Sequence, residues 1–297
     1  MGIKNKTLNI GIVGLGLIGG SFGRAFIKKT GHRVFGCDRD ADAVYAAMLA
    51  GAISGELTPA TLPALDLIIF AVNPRTTVKI LEDYLPYLKG GCIVTDAGGL
   101  KRNVISVMRG ASERYPGLQF IGAHPMAGKE FSGFSHSSAE LFEGASALMV
   151  SVNAPPETVR ELKQIFSALG FKNCKDTSAE HHDKLIAYTS QLCHAISSSY
   201  CLNPLSGEHD GFSAGSFRDL TRVARLSASM WTELMCDNAD NLSVILDEFI
   251  AQISALKSAV ERRDEEEIYK ILSAGNEKKE QMDRAKDGNS ALIKEPG

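Results

Sequence analysis

The sequence lacks a strong excess of either charge. Its 297 residues carry a formal net charge of -3 at pH 7, and its isoelectric point is near 6.2. A chain with so little excess charge has no general attraction for nucleic acid or for an anionic membrane surface. We therefore expect neither of these partners, and any anion must be bound by a few local groups.

Long apolar runs and paired cysteines are also missing. No apolar run approaches the roughly 20 residues that span a bilayer, and the first residues lead into a strand without the apolar segment of a signal peptide. The cysteines are scattered, with no Cys-x-x-Cys pair, which is typical of reduced thiols in the cytoplasm. Adjacent His181 and His182 would point about 100° apart on a helix, so they are poorly placed to share a metal ion. We expect a cytoplasmic protein without a bound metal.

Short β-branched runs alternate with helical patterns in the first half of the chain. Strands are predicted over residues 8–13, 34–38, 67–72, 92–96, 120–123 and 147–152, with a last edge strand over 171–177. Helices are predicted between them over 21–29, 41–50 and 76–88, and another opens at Pro155. Alternating strands and helices with nearly continuous apolar strands predict a parallel sheet covered on both faces.

After about residue 177 the strand pattern stops. Residues 178–279 have helical spacing almost throughout, broken mainly around 203–216. We therefore expect an α/β domain over residues 1–177 followed by an all-α domain over residues 178–297. The charged segment from Glu261 onward is expected to form a solvated helix and then to be disordered.

One predicted helix carries a regular apolar seam. Apolar residues recur along it at alternating spacings of four and three, at Leu242, Leu246, Phe249, Ile253, Leu256 and Val260. The repeat is too short for a free-standing coiled coil. It suits a contact with a partner helix and packing within its own domain about equally well, and both interpretations remain open.

A glycine-rich motif follows the first predicted strand. Gly14, Gly16 and Gly19 form a G-x-G-x-x-G pattern that opens a helix. Gly14 permits a tight turn, Gly16 lets the backbone approach a pyrophosphate, and Gly19 lets helix and strand pack closely, with the phosphates at the helix N-terminus. Because strand, helix and second strand follow in order, the motif predicts a Rossmann-type dinucleotide site.

An acidic residue at the end of the second predicted strand indicates which dinucleotide binds. Asp38 lies about 20 residues after the motif, where a carboxylate can accept both ribose hydroxyls of NAD and would repel the 2′-phosphate of NADP. Arg39 can soften that repulsion or stack on the adenine. We therefore expect NAD as the cofactor. The residues expected to bind it lie in the motif or at strand ends: Gly14, Gly16, Leu17, Ile18, Gly19, Asp38, Arg39 and Val72.

Ligands of open α/β sheets bind beyond the carboxyl ends of the strands, where segments 71–74, 95–101 and 122–125 are expected to lie. At these segments and beyond, the chain resembles the prephenate/arogenate dehydrogenase family, which oxidises and decarboxylates prephenate or arogenate on the way to tyrosine. The resemblance covers most of the chain and is most specific in the His-Pro-Met-Ala-Gly block. The matching segments are 14–19, 122–133, 141–144, 182–183, 190–194, 221–224 and 230–231.

The resemblance implies a Rossmann-type nucleotide-binding domain followed by a helical dimerisation domain, and a homodimer. It also implies that His124 is the catalytic histidine, which accepts the proton of the C4 hydroxyl while hydride leaves C4 for the nicotinamide. A neutral imidazole, with a reference pKa of about 6.5, suits that task. A structural histidine in a tight turn rich in glycine and proline is the competing interpretation.

Four further residues match family positions near the substrate. Arg222 matches the arginine that binds a substrate carboxylate, which a guanidinium can hold with two hydrogen bonds. Glu130 matches an acid that lines the site and can orient or gate. His194 matches a second histidine, and Trp231 matches an aromatic residue of the substrate pocket. For each, a structural or surface role is the alternative: a surface salt bridge for Arg222, an exposed carboxylate for Glu130, and helix packing for the other two.

The chain departs from the family pattern in two places. Gly99 occupies a position near the substrate where the family usually has a serine close to the catalytic histidine. The role of that hydroxyl must pass to water or another group, or be absent. In the segment 190–194, Gln191 and Cys193 replace the family's histidine and proline, which bears on how the substrate side chain is held.

These observations favour NAD-dependent oxidation of prephenate to 4-hydroxyphenylpyruvate, CO2 and NADH. Oxidation of arogenate to tyrosine is the close alternative, because the two substrates differ only in a keto or an amino group. Prephenate is preferred since NAD accompanies it more often in this family. Two other interpretations remain: a 3-hydroxy-acid or 6-phosphogluconate type dehydrogenase with Lys184 as its catalytic lysine, and a catalytically silent NAD sensor, which the glycine at position 99 keeps open.

Overall fold

The computed structural model describes residues 7–291, and eight strands among them form one sheet. The strands are β1 (Asn9–Val13), β2 (Arg33–Cys37), β3 (Gly55–Glu56), β4 (Leu67–Phe70), β5 (Ile93–Asp96), β6 (Gln119–Pro125), β7 (Ser146–Ser151) and β8 (Asn173–Asp176). Their order is β3-β2-β1-β4-β5-β6-β7-β8. Every strand predicted from the sequence is present, and β8 lies at one edge as expected. The two-residue strand β3 was not predicted.

The expectation of an all-parallel sheet is wrong for one pair of strands. β7 runs antiparallel to β6, while all other neighbouring strands are parallel. A parallel return needs a long crossover, usually a helix, but the connection between β6 and β7 forms only a 3-10 turn at Phe134–His136. The chain therefore turns back beside β6 in the opposite direction.

Five helices cover the two faces of the sheet. They are α1 (Leu17–Thr30), α2 (Ala41–Leu49), α3 (Pro74–Tyr84), α4 (Arg102–Arg114) and α5 (Pro156–Ala168). α1 starts four residues before the predicted start, directly after Gly16, because close packing on the sheet outweighs the low helix propensity of Gly19 and Gly20. α4 was not predicted, although its buried residues recur at helical spacing, at Val104, Ile105, Met108 and Ala111.

Alternate residues of the strands enter two separate apolar cores. In β4, Leu67 and Ile69 belong to one core, and Ile68 and Phe70 belong to the other. Period-two alternation places these pairs on opposite faces of the sheet. A sheet buried on both faces leaves its strand ends as the places where polar side chains meet solvent, and this positions the candidate site.

The chain after β8 is helical in the part that the structure describes, as predicted. It forms α6 (Ala179–Ile186), a π-helical turn (Ala187–Gln191), α7 (Leu192–Cys201), α8 (Gly215–Thr221), α9 (Ala228–Asp237), α10 (Ala239–Arg262) and α11 (Glu265–Ala291). α6 begins after Ser178, whose hydroxyl accepts a hydrogen bond from the His181 N–H at 3.1 Å. None of the described helices is long and apolar enough to cross a membrane.

The chain separates into two compact units, one that ends at Leu242 and one that begins at Ser243. The first contains the sheet and α1 to α9, and the second contains most of α10 and all of α11. The domain boundary after residue 177 stays a prediction. The helix expected after Glu261 is present as α11, and the disorder expected at its end falls partly on residues 292–297, which lie outside the described residues.

The apolar seam predicted from the sequence lies along α10. Leu242 is buried, and Leu246, Phe249 and Leu256 are partly buried. Ile253 and Val260 are 50% and 55% exposed. The seam is therefore covered only in part by its own chain.

Candidate active site

The glycine motif forms the tight loop between β1 and α1. Gly14 has a φ of 93°, a conformation that favours glycine, and its N–H donates to the Cys37 carbonyl at 2.8 Å. A Cβ atom on Gly19 would lie 1.8 Å from the Gly14 carbonyl oxygen, whereas a Cβ on Gly16 would meet no atom within 4 Å. Gly14 and Gly19 are thus required by the packing of the protein itself, whereas Gly16 leaves open space at the N-terminus of α1.

The other predicted cofactor residues surround this loop. Asp38 follows β2, and its carboxylate accepts hydrogen bonds from the Leu15 N–H at 2.7 Å and the Asp40 N–H at 3.0 Å. Arg39 is exposed beside it. Val72 follows β4 and packs directly against Gly14. Leu17 and Ile18 are partly exposed in the first turn of α1.

His124 lies within β6, not in a turn as the sequence suggested. It pairs with Leu148 of β7, since the glycine and proline around it lie in the last residues of a strand and do not end it. The ring is partly buried, and its Nδ1 lies 2.9 Å from Nε2 of His182 on α6. His182 in turn places its Nδ1 2.6 Å from Oδ1 of Asp183. A chain of three side chains thus runs inward from His124 to a buried carboxylate.

The Asp183 carboxylate sits at the N-terminus of α4. Oδ1 accepts the Lys101 N–H at 2.8 Å, and Oδ2 accepts the Arg102 N–H at 3.0 Å. Helix N-termini have free N–H groups and a positive end of the helix dipole, which both stabilise a carboxylate. The Arg102 side chain also contacts Asp183 and binds Asp240 with two hydrogen bonds.

A second buried ion pair lies beside His124. The ammonium of Lys101 is bound to the Asp96 carboxylate, and both side chains are fully buried. Asp96 also accepts hydrogen bonds from the Gly98 N–H at 2.9 Å and the Ala123 N–H at 3.1 Å. The pair therefore fixes the end of β5 to the residue that precedes His124.

The surroundings keep the imidazoles of His124 and His182 neutral. Burial, the neighbouring His182 and the Lys101 ammonium lower the pKa of His124 well below its ordinary value. Burial also lowers the pKa of His182, and the hydrogen bond to Asp183 offsets this only in part. Burial alone would raise the pKa of Asp183, but the bonds from His182 and from the Arg102 and Lys101 N–H groups hold it below its usual range. The site thus combines two neutral imidazoles with an ionised carboxylate.

A second cluster contains the residues expected to bind the substrate. The Arg222 guanidinium forms an ion pair with Glu130, and Arg222 is the more exposed partner. Hydrogen bonds from its own backbone and from Arg222 lower the pKa of Glu130. The His194 ring stacks on Trp231 with centroids 3.7 Å apart. Burial lowers the pKa of His194, with the Arg222 charge acting in the same direction and the bond to the Ser190 carbonyl opposing it.

The two departures from the family pattern differ in their structural consequences. Gly99 lies in the loop between β5 and α4, where an added Cβ would meet Leu234 of α9 at an ordinary contact distance of 3.6 Å. Gln191 is buried and donates to the Leu234 carbonyl at 2.8 Å, and it accepts a hydrogen bond from Asn238 at 2.8 Å. It therefore ties the π-helical turn to α9. Cys193 is exposed on α7.

Sequence reasoning missed several residues of this site. The buried residues Asp96 and Lys101 were not singled out as site residues, and His182 and Asp183 were noted only as a segment that matches the family, with His182 also considered as a metal ligand. The described residues contain no cluster of metal-ligating side chains. The signal that could have identified Asp96 and Lys101 as site residues was their position at and just after the end of the strand predicted over 92–96. Lys184, the candidate lysine of the alternative dehydrogenase class, is exposed.

Fold and site define a nucleotide-binding α/β protein in which a helical region contributes to a polar site at the strand ends. Two family models match the chain: the nucleotide-binding domain of prephenate dehydrogenase over residues 22–174 and its dimerisation domain over residues 178–274. The chain therefore belongs to the prephenate dehydrogenase family. The expected family, the oxidoreductase class and a Rossmann-type domain followed by a helical dimerisation domain are confirmed.

Similar proteins of known name agree with this assignment. A cyclohexadienyl dehydrogenase of Zymomonas mobilis is 30% identical over 86% of this chain and 89% of its own length. A prephenate dehydrogenase of Lactococcus lactis is 30% identical over 92% of this chain and 77% of its own length. The prephenate dehydrogenase of A. aeolicus, solved with hydroxyphenyl propionate and NAD+, shares the fold with a TM-score of 0.80 at 24% identity, over 94% of this chain and 99% of that one.

Replacing Gly19 with alanine should destabilise the fold, because the added methyl group would overlap the Gly14 carbonyl. Overpacking of this kind typically costs about 1–3 kcal/mol. Thermal unfolding should therefore show a lower Tm for Gly19→Ala than for the parent protein.

Gly16→Ala is the matched control. Its Cβ would have open space, but its ψ of -153° lies at the edge of the extended region for alanine, so its Tm should fall less than that of Gly19→Ala. Dinucleotide affinity, measured by calorimetry, should nevertheless fall because only a bound pyrophosphate would meet the new methyl group. An unchanged affinity would show that Gly16 does not face the phosphates.

Proposed function

We propose that this protein is an NAD-dependent prephenate dehydrogenase, which oxidises and decarboxylates prephenate to 4-hydroxyphenylpyruvate. The observation that carries the proposal is the state of His124, a neutral imidazole at the carboxyl end of β6 with Nδ1 bound to His182. No described residue hydrogen-bonds its Nε2. This nitrogen is therefore available to a substrate hydroxyl, as a general base requires.

The loop after β1 fits a dinucleotide. α1 has no acidic residue in its first turn and no side-chain cap at its N-terminus, so its first N–H groups can bind a pyrophosphate. The open space at Gly16 permits close approach. We propose that Asp38 binds the ribose, Arg39 the adenine side, and Leu17, Ile18 and Val72 the walls of this site. When bound, NAD+ would supply the acceptor for the hydride that leaves ring carbon C4 of the substrate.

His124 acts as the general base in the same reaction. Its Nε2 accepts the proton of the C4 hydroxyl as the hydride leaves C4. The ring carboxylate then leaves as CO2, and its bonding electrons make the ring aromatic. The resulting oxygen anion takes the proton back from His124, so that electrons and protons balance.

The cluster around Arg222 supports a dicarboxylate substrate. Arg222 is exposed, and its partner Glu130 is only partly buried, so a substrate carboxylate can compete for the guanidinium. Charge-assisted, two-bond pairs of this type are stronger than neutral hydrogen bonds. We propose that Arg222 holds one carboxylate of the substrate, that His194 and Trp231 border its side chain, and that Glu130 orients Arg222.

Prephenate is proposed over arogenate on two grounds. Asp38 favours NAD, and relatives in Bacillus subtilis and Lactococcus lactis, 29% and 30% identical to this chain, are named prephenate dehydrogenase. Oxidation of arogenate is the outcome that would redirect the proposal.

Absorbance at 340 nm tests the proposal, with prephenate and arogenate offered separately alongside NAD or NADP. We expect reduction of NAD with prephenate. His124→Gln should keep the fold and NAD affinity but lower kcat roughly 10²- to 10⁴-fold. Reduction only with arogenate would reassign the substrate, and NAD binding without reduction of either substrate would favour a silent sensor.

Cofactor choice should depend on Asp38. In Asp38→Ser, the ribose loses a carboxylate acceptor and the 2′-phosphate loses a repulsive charge, so the ratio of NAD to NADP affinity should fall. Fluorescence titration of both reduced cofactors measures this ratio. Arg39→Ser is the comparison on the adjacent exposed residue, and an identical ratio in Asp38→Ser and the parent would remove Asp38 from the ribose site.

We further propose that the protein forms a homodimer through its helical region. The dimerisation-domain model covers residues 178–274, and the α10 seam is only partly covered, with Ile253 half exposed. Apolar area of this kind is typically buried against a partner helix.

Ile253→Asp should shift the dimer toward monomer in sedimentation experiments, because it places a charge in the seam. Ala251→Asp adds the same charge about 200° away around the helix, on an exposed position, and should leave the dimer intact. Equal behaviour of the two variants would show that the seam is not the interface.

A further inference from the structure

We propose that His182 and Asp183 are positioning residues that hold the proton of His124 on Nδ1 and thereby leave the Nε2 lone pair toward the substrate. The inference rests on the proposed function, because it explains how His124 becomes an effective base. It deepens that function by adding two residues that do not themselves touch the substrate.

The hydrogen-bond chain has a single direction. An ionised carboxylate can only accept hydrogen bonds. The 2.6 Å contact between Asp183 and Nδ1 of His182 therefore requires the proton to lie on Nδ1 of His182. His182 is 1% exposed and neutral, so its Nε2 carries no proton and can only accept. The 2.9 Å contact between Nε2 and Nδ1 of His124 then requires the proton to lie on Nδ1 of His124. Nε2 of His124 is left as the acceptor.

The reverse arrangement would require a second charge in a buried place. If His182 donated through Nε2 while still bound to Asp183, it would carry both ring protons and a positive charge. The Lys101 ammonium, also fully buried, opposes a charge at His182, as does burial itself. The neutral arrangement is therefore favoured.

Asp183 can set the direction of these hydrogen bonds because the protein keeps its carboxylate ionised. The first N–H groups of α4, from Lys101 and Arg102, donate to its two oxygens at 2.8 and 3.0 Å. The Arg102 side chain adds a positive charge at 3.3 Å. Each carboxylate oxygen thus accepts an N–H group at the start of α4, from Lys101 before the helix or Arg102 within it, and Oδ1 also accepts from His182 on α6.

Among the described residues, the ionisable groups that act on His124 are His182 and Lys101, and both belong to this network. Lys101 lies on the loop before α4, Asp96 at the end of β5, and His182 and Asp183 on α6. Asp96 balances the charge of Lys101, and the Arg102 charge is shared between Asp183 and Asp240. His124 thus lies beside the balanced pair of Lys101 and Asp96, and its orientation is fixed through Nδ1.

A carboxylate that fixes the tautomer of a catalytic histidine is a known physical device, and the wrong tautomer can lower kcat by about 10⁴-fold in a serine protease. Here an extra imidazole stands between the carboxylate and the base. Among the described residues, His182 makes the side-chain hydrogen bond that holds the His124 ring.

His182→Leu removes the acceptor for Nδ1, and His182→Gln keeps one in its amide oxygen. We expect His182→Leu to lower kcat roughly 10²- to 10⁴-fold with little change in KM, and His182→Gln to recover at least tenfold of that loss. As a neutral acceptor, His182 stabilises the proton on Nδ1 and with it the cationic form of His124. The acid limb of kcat/KM should therefore move to lower pH in His182→Leu, and less so in His182→Gln.

Asn238→Ala is the matched control. Asn238 is buried and donates to the Asp183 backbone carbonyl at 2.9 Å, but it does not contact the imidazoles. This variant should lower the Tm and leave the acid limb of kcat/KM where it is in the parent. An acid limb displaced as far in Asn238→Ala as in the His182 variants would reduce the role of His182 to packing, and would overturn the inference.

Nitrogen-15 NMR of the histidine rings gives a readout that does not depend on turnover. In the parent protein, the His124 signals, identified by their loss in His124→Gln, should show a protonated Nδ1 and an unprotonated Nε2. In His182→Leu both tautomers should appear. A parent ring protonated at Nε2, or a tautomer unchanged in His182→Leu, would overturn the inference. A parent with the expected tautomer but no activity on either substrate would reject the proposed function alone.

Discussion

The buried carboxylate of Asp183 is the contact on which the candidate site depends. It lies on α6 and accepts the first N–H groups of α4. A buried carboxylate is costly unless its oxygens are hydrogen-bonded, so α6 can pack here only in the orientation that presents Asp183 to α4. The same orientation places the next ring, His182, against His124 at the end of β6.

Lys101 extends this constraint to the sheet. Its backbone N–H binds Asp183, while its buried ammonium binds Asp96 at the end of β5. Asp96 also accepts the Ala123 N–H, one residue before His124. Because breaking a buried pair leaves an uncompensated charge, β5, β6, α4 and α6 hold one another in place. The catalytic proposal for His124 therefore rests on elements that are far apart in the sequence.

The cluster around Arg222 is held together by weaker contacts than the network around Asp183. His194 stacks on Trp231, while Arg222 remains exposed and bound to the partly exposed Glu130. Ion pairs at such positions contribute little to stability, so this pair can exchange partners at small cost. One part of the site is thus fixed by buried charges, and the other can respond to a ligand.

The sequence by itself determined the order of strands and helices apart from β3 and α4, because periods of two and of 3.6 residues decide which faces can be buried. It also determined the loop after β1, since Gly14 and Gly19 each meet a local steric requirement. Only the tertiary structure decided the direction of β7, the place of His124 within a strand, and the pairing of His124 with His182. The physical reason is that these features depend on contacts between segments tens of residues apart, such as Asp183 with α4, which no local pattern encodes.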